Sequence, residues 1–278
     1  MSLATTRIPY WHVDAFASQP FTGNQAAVMQ LESWLSDDVL QAIGEENNFA
    51  ETAFVVRDDT GAADWELRWF TPACEIRLCG HATLASGHVL LGRAKRETRA
   101  GDCVTFRTRE AGILEVARSG DGYEVGLPAI STEQSDWPEA VEHLGATPTE
   151  VWRHPDRYNV FLFENEAQVR ALTPNMRGLG ALGDDQFACT APGDSTDVVS
   201  RVFVPGAGVD EDSVTGSAHA VLTPFWAVKL GRESFTAHQA SQRGGELVCR
   251  LERKADGDRA WLGGQCVTVV EGRFYVSG

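Results

Sequence analysis

The sequence predicts an α+β fold built from two similar barrel-like half-domains, each a β-sheet wrapped around one central helix. Three observations carry that expectation. Short stretches of strand-type patterning recur along all 278 residues. Two stretches, 80–92 and 216–231, have helical length yet are apolar nearly all round, as in a helix enclosed on every side. The segment leading into the first of these helices also resembles the segment leading into the second.

That resemblance reads as an internal duplication. Phe70-Thr71-Pro72, Glu75-Ile76 and Gly80-His81-Ala82 recur as Phe203-Val204-Pro205, Gly208-Val209 and Gly216-Ser217-Ala218-His219. The second copy is three residues longer, and the acidic run Asp210-Glu211-Asp212 lies in the region of the insertion. Chance recurrence of a strand–Pro–Gly–helix pattern is the alternative. Duplication implies two halves that face each other, with the glycine-led helix starts converging on one cleft. Such a terminus presents free N–H groups and partial positive charge, and glycine lets a ligand approach the backbone, so the cleft suits a carboxylate or an enolate.

The elements follow in order. Residues 8–16 and 25–29 read as strands around the turn Gln19-Pro20-Phe21-Thr22-Gly23-Asn24. Ser36 with Asp37 and Asp38 starts a helix to about Asn47. Residues 49–57 are β-like, and Trp65, Leu67 and Trp69 alternate on one face of a strand over 65–71. Gly80 opens the first buried helix and Gly92 closes it. Strands at 103–109, 112–118 and 122–127 follow, and 128–138 reads as a linker. The halves are therefore placed at 1–128 and 129–265, with a closing strand at 266–278 packed on the first. In the second half, 137–144 and 166–172 read as helices, and 158–163 and 197–204 as strands. Pro224 interrupts the second buried helix, and 239–253, 260–270 and 273–276 read as strands.

Composition excludes several functions. The net charge of −15, with no clustered Lys or Arg, argues against nucleic acid as a partner. No apolar run reaches the ~20 residues that span a bilayer. Six cysteines without a CxxC pair read as free thiols in a reducing cytoplasm. Neither HExxH nor GxxxxGK[ST] occurs, and no metal or organic cofactor is expected. Arg243-Gly244-Gly245 reads as a hairpin turn rather than a carboxylate site.

Moving a proton on carbon requires a positioned base and a stabilised anion. Glu51 leads the candidates, a charge inside the apolar run Asn48-Phe49-Ala50-Glu51-Thr52-Ala53-Phe54, where burial raises a carboxyl pKa. A solvent-facing strand position is the alternative. His81 stands in the first turn of the first buried helix, which depresses an imidazole pKa and leaves it neutral; a core histidine is the alternative. Asp212 precedes the second helix start, as second acid/base or as a cap. Ser217 is the counterpart of His81, as a donor to substrate or to backbone. Cys79, directly before Gly80, is placed for a lowered thiol pKa, but its counterpart is Thr215, which disfavours a two-thiol racemase.

Asp14-Ala15-Phe16, Phe21-Thr22-Gly23-Asn24, Asn48-Phe49-Ala50-Glu51-Thr52, Arg68-Trp69-Phe70-Thr71-Pro72, Gly80-His81-Ala82-Thr83 and Glu211-Asp212-Ser213-Val214-Thr215-Gly216-Ser217-Ala218-His219 run in order over nearly the whole chain. Together they resemble the phenazine-biosynthesis PhzF-like isomerase family. The resemblance implies a diaminopimelate-epimerase-like fold, no metal or organic cofactor, and commonly a homodimer. It implies Glu51, His81 and Asp212 as the catalytic set, with Gly80, Thr215, Gly216, Ser217 and Asn24 as substrate contacts. Two positions depart from the family pattern: Gln25 and Ser213 stand where proline is usual. The expected function is a cofactor-independent, cytoplasmic isomerase that moves a proton on a small carboxylate-bearing metabolite. The alternatives are a non-catalytic binding protein of the same fold, or an amino-acid racemase or epimerase.

Overall fold

The computed structural model describes residues 5–96 and 101–277. The chain divides into two compact units. One comprises the described residues up to Gly126 and from Gly263 onward; the other is Leu127–Leu262. No described helix is long and apolar enough to cross a membrane.

In the first unit, β1 (Thr5–Ala15) and β2 (Asn24–Gln30) form an antiparallel pair. Helix α1 (Asp37–Asn47) carries the chain to β3 (Glu51–Arg57), parallel to β2. Strand β4 (Trp65–Phe70) returns antiparallel to β3, and the short β5 (Glu75–Ile76) folds back on β4. Helix α2 (Gly80–Arg96) crosses over to β6 (Cys103–Arg107), parallel to β4, and β7 (Ile113–Ser119) and β8 (Gly122–Pro128) continue as a meander. Helix α2 packs against β1, β2, β3, β6 and β7, which is why its sequence is apolar on all sides. It runs past Gly92 to Arg96, contrary to the sequence expectation. Gly92 is only partly buried and costs about 1 kcal/mol there, too little to end a helix packed against so many strands.

The second unit contains β9 (Glu133–Ser135), α3 (Pro138–Leu144), β10 (Glu150–Arg153), β11 (Tyr158–Leu162), α4 (Glu166–Ala171), α5 (Met176–Ala181) and β12 (Gln186–Pro192). Strand β13 (Val198–Val204), a 3-10 turn (Pro205–Ala207), β14 (Val209–Asp212), α6 (Gly216–Leu230), β15 (Ser234–Gln239), β16 (Gly245–Glu252) and β17 (Arg259–Gly264) follow. Strand β18 (Cys266–Ser277) belongs to the first unit and pairs antiparallel with β1 along its length. Pro224 lies inside α6 and cannot donate to the Ala220 carbonyl four residues back; the Ile130 N–H bonds that carbonyl instead, at 3.1 Å. Helix α6 is thereby continuous and, from Ala218 to Ala227, buried.

The duplication is explicit in the pairings. Strands β10–β11, β11–β12, β12–β13, β13–β14, β13–β15 and β15–β16 repeat the order and sense of β1–β2, β2–β3, β3–β4, β4–β5, β4–β6 and β6–β7. Side chains repeat with it. Arg68 Nε donates to Glu75 at 2.8 Å with its guanidinium over Phe70; Arg201 Nε donates to Glu211 at 2.8 Å with its guanidinium over Phe203. Asp64 accepts from the N–H and hydroxyl of Thr105, as Asp197 does from Thr236. Because Glu211 matches Glu75, the three extra residues of the second copy lie in the 3-10 turn and not in the acidic run.

Other differences have local causes. The stretch expected to be a linker holds β9, which pairs with β10 through backbone bonds that its polar side chains do not announce. The strand expected over 239–253 is a hairpin: Gly244 takes a positive φ of 64° and its N–H bonds the Ser241 hydroxyl.

Candidate active site

In the first unit, Glu51 opens β3 beside Ala26 of β2, and His81 is the second residue of α2. Their side chains meet, His81 Nε2 lying 2.9 Å from Glu51 Oε2. The approach is oblique: neither atom makes a hydrogen bond of good geometry although both are buried. On the other edge of the ring, Nδ1 lies 3.2 Å from Asn24 Nδ2 and 3.5 Å from Cys79 Sγ. An amide presents either a donor or an acceptor, so Asn24 serves both protonation states of the ring. Asn24 is held in place by opening β2, opposite Ala15.

The electrostatics correct two sequence expectations. His81 holds its proton well above the ordinary imidazole range rather than below it. Burial opposes the charge, but Cys79 and Glu51 more than offset it. Glu51 is the partner that matters near neutrality, because the Cys79 thiol is itself pushed up to about 11 by burial and by Glu51. A carboxylate at 2.9 Å outweighs the partial charge of a helix terminus. Cys79, expected to be acidified by that terminus, is instead held as a thiol by burial and by Glu51. Burial likewise pushes the Cys266 thiol up, to about 12.

Glu51, Cys79 and His81 offer ligand atoms within 4.8 Å of one another. A single ion needs all three lone pairs directed at one point. Here the imidazole presents Nδ1 to Cys79 and Nε2 to Glu51, on diverging edges. The geometry is that of a chain of polar contacts, and a shared ion would require the ring to turn.

In the second unit, Asp212 ends β14, Thr215 caps α6, and Gly216 and Ser217 open it. Asp212 accepts from the Ser213 N–H at 2.8 Å and the Thr215 hydroxyl at 2.7 Å. Gln239, fully buried, braces this loop by accepting from Thr215 N–H at 2.9 Å and donating to the Asp212 carbonyl at 2.8 Å. His219 Nδ1 donates to the Thr215 carbonyl at 2.9 Å, just as the Thr83 hydroxyl donates to the Cys79 carbonyl at the equivalent place in α2. Burial pulls the His219 imidazole down to about 4, so it is neutral. Its Nε2 is left buried with no hydrogen-bond partner among the described residues.

Helix geometry leaves the N–H groups of Gly80 and His81, and of Gly216 and Ser217, without intrahelical acceptors; Thr83 and His219 are the first residues bonded, to Cys79 and Thr215. Each unit therefore presents a buried helix start rich in donors. The first adds a carboxylate and a proton-holding imidazole, and the second a hydroxyl and a carboxylate already engaged by its own loop. Sequence reasoning did not single out Gln186, Gln239, His219 or Thr83. Their partners are set by strand register and by the first helical turn, which no local motif reports. The Gln25 departure also has a structural account: its amide meets His12 at 3.2 Å, and the His12 ring stacks on Phe49 at 4.3 Å.

The family model described as phenazine biosynthesis-like protein matches residues 13–272. An uncharacterized isomerase of Pseudomonas aeruginosa is 44% identical over 98% of this chain and 100% of its own length. The crystal structure of a phenazine biosynthesis PhzF-family protein of Enterococcus faecalis has a TM-score of 0.87 at 39% identity, covering 98% of this chain and 100% of the other. A hydroxyproline epimerase of Agrobacterium vitis, solved with trans-4-hydroxy-L-proline, has a TM-score of 0.58 at 12% identity over 98% of this chain and 93% of its own, a likeness of fold alone.

Proposed function

This chain belongs to the phenazine biosynthesis-like (PhzF) family, and we propose that it is an isomerase that moves a proton on a small carboxylate-bearing metabolite, with Glu51 as the acid/base. The observation that carries the proposal is the buried approach of Glu51 Oε2 to His81 Nε2 at 2.9 Å, with hydrogen-bonding capacity open on both atoms. Buried polar groups left unsatisfied in a folded protein call for an explanation, and a reacting molecule supplies one.

In this reading the Glu51 carboxylate takes a proton from a carbon next to a carboxylate or unsaturation. The electron pair left behind moves onto oxygen as an enolate. The N–H groups at the start of α2 stabilise that charge, and the family resemblance implies further substrate contacts at Gly216 and Ser217. The proton then returns to the same carbon or to another. His81, holding its proton to unusually high pH, keeps a positive partner beside Glu51 through the cycle. Asn24 fixes the ring, and Asp212 and Thr215 orient the substrate's polar groups. The family resemblance implies that the reaction needs no cofactor and that the protein is commonly a homodimer.

The test is a screen of small carboxylic acids scored by incorporation of deuterium from solvent. Substrates should exchange one C–H with the parent protein, and Glu51→Gln should reduce that exchange about 10²–10⁴-fold. A Glu51→Gln variant that exchanges at the parent rate would refute the assignment. Cys79→Ala should retain exchange, whereas its loss would restore the thiol racemase reading.

A further inference from the structure

The duplication gives Glu51 a counterpart that no motif marks. Thr52 pairs with Phe70 in the first unit and Phe187 pairs with Phe203 in the second, so the residue before each, Glu51 or Gln186, occupies the same place. The parallel pairings agree, because Glu51 and Gln186 are the first paired residues of β3 and β12. His81 and Ser217 are likewise equivalent, each the second residue of its buried helix. The contact is repeated as well. His81 Nε2 lies 2.9 Å from Glu51, and Gln186 Nε2 lies 2.9 Å from Ser217 Oγ. Where one copy pairs a carboxylate with an imidazole, the other pairs an amide with a hydroxyl.

The second pair cannot titrate, but it has a polarity. A serine hydroxyl has one donor and two acceptor positions. The Gln186 amide donates to Ser217 Oγ and so occupies acceptor capacity only. The single O–H is released to point elsewhere. Both side chains are partly exposed, so that hydroxyl has accessible space to point into. The Gly216 and Ser217 N–H groups beside it are donors too.

We infer that Gln186 is a positioning residue that fixes the Ser217 hydroxyl as a donor, so that the start of α6 accepts an anionic oxygen, a carboxylate or an enolate. This rests on the reading that Ser217 contacts the substrate.

The experiment uses the whole protein, acetate as the probe and a double-mutant cycle. Labelling with [1-¹³C]Thr and [¹⁵N]Gly selects the three Thr–Gly peptides, at Gly23, Gly61 and Gly216. The Gly216 signal is the one lost in Thr215→Ser. Acetate should move it saturably while Gly23 and Gly61 stay still. Gln186→Glu keeps the shape but offers only acceptors, which turns the Ser217 O–H away from the ligand. It should weaken acetate about tenfold or more, with the neutral Gln186→Met losing about two- to fivefold. On a Ser217→Ala background the effect of Gln186→Glu should shrink to about twofold.

An equal loss with and without Ser217 would mean simple charge repulsion and overturn the inference, as would an unchanged affinity in Gln186→Glu. No saturable shift of Gly216 in the parent protein would overturn it together with the anion-binding part of the proposed function. Failure of Glu51 as base shows separately, as retained C–H exchange in Glu51→Gln, and leaves this cycle unaffected.

Discussion

Glu51→Gln should lower the pH at which His81 titrates. The substitution keeps the shape and removes one charge 2.9 Å from His81 Nε2. At an effective dielectric constant near 20, that separation corresponds to an attraction of about 6 kcal/mol. The ring is 3% exposed, so desolvation takes back several kcal/mol. The carboxylate still outweighs that cost, so losing it moves the imidazole downward. The linkage follows from the direction of the shift. A folded-state value raised above the unfolded one adds stability that is complete below about pH 6.5 and is lost as pH rises through the folded value. Titrating the [¹³C]His-labelled protein by NMR, with His81→Asn to assign the signal among seven histidines, reads the shift directly. Superimposable His81 titrations in the parent and Glu51→Gln proteins would refute the claim that this carboxylate holds the proton.

His219 should behave in the opposite way. Its folded value of about 4 lies below the ordinary 6.5, so the unfolded chain takes the proton first and stability falls on acidification between those values, by about 3 kcal/mol. His219→Asn keeps the donor to Thr215 and should flatten that part of the urea-denaturation profile against pH. Glu211→Gln should cost about 1–2 kcal/mol in the same assay, because it breaks the two-pronged Arg201 contact at a partly buried site. Pro224→Ala should fall well short of the ~3 kcal/mol that relieving a helix-interior proline can return, since the Ala220 carbonyl already has the Ile130 N–H; a full gain in melting stability would show that the bond contributes nothing. Cys79, with its thiol near 11, should resist iodoacetamide in the native protein at pH 8 and react once unfolded.

Much of the architecture was legible because burial leaves a local trace. Helices α2 and α6 are enclosed by strands, and an enclosed helix must be apolar on every face; that reads directly from residues 80–92 and 216–231. The duplication was legible because Phe70 and Phe203 fill equivalent core positions and glycine opens both helices. Other features left little trace. Strands β9 and β12 are defined by backbone pairing with other strands, and their residues carry no periodic signal. The three-residue insertion was misplaced because Asp210-Glu211-Asp212 looks like a loop until Glu211 is seen paired with Arg201, as Glu75 is with Arg68.

The sequence by itself determined the α+β class, the two buried helices, the repeat, and the residue types at each helix start, because these follow from patterns within a few residues. Only the tertiary structure decided what those residues do to one another. His81 was read as neutral from its helix terminus and Cys79 as acidified by it. Both directions are reversed in the fold: Glu51, thirty residues away in sequence and 2.9 Å away in space, holds the His81 proton, and burial, with Glu51, pushes the Cys79 thiol up. Gln186 gained its meaning in the same way. A carboxylate, an imidazole or an amide acts through neighbours a few ångströms distant, and strand register, unlike periodicity, is not written in any one segment of the chain.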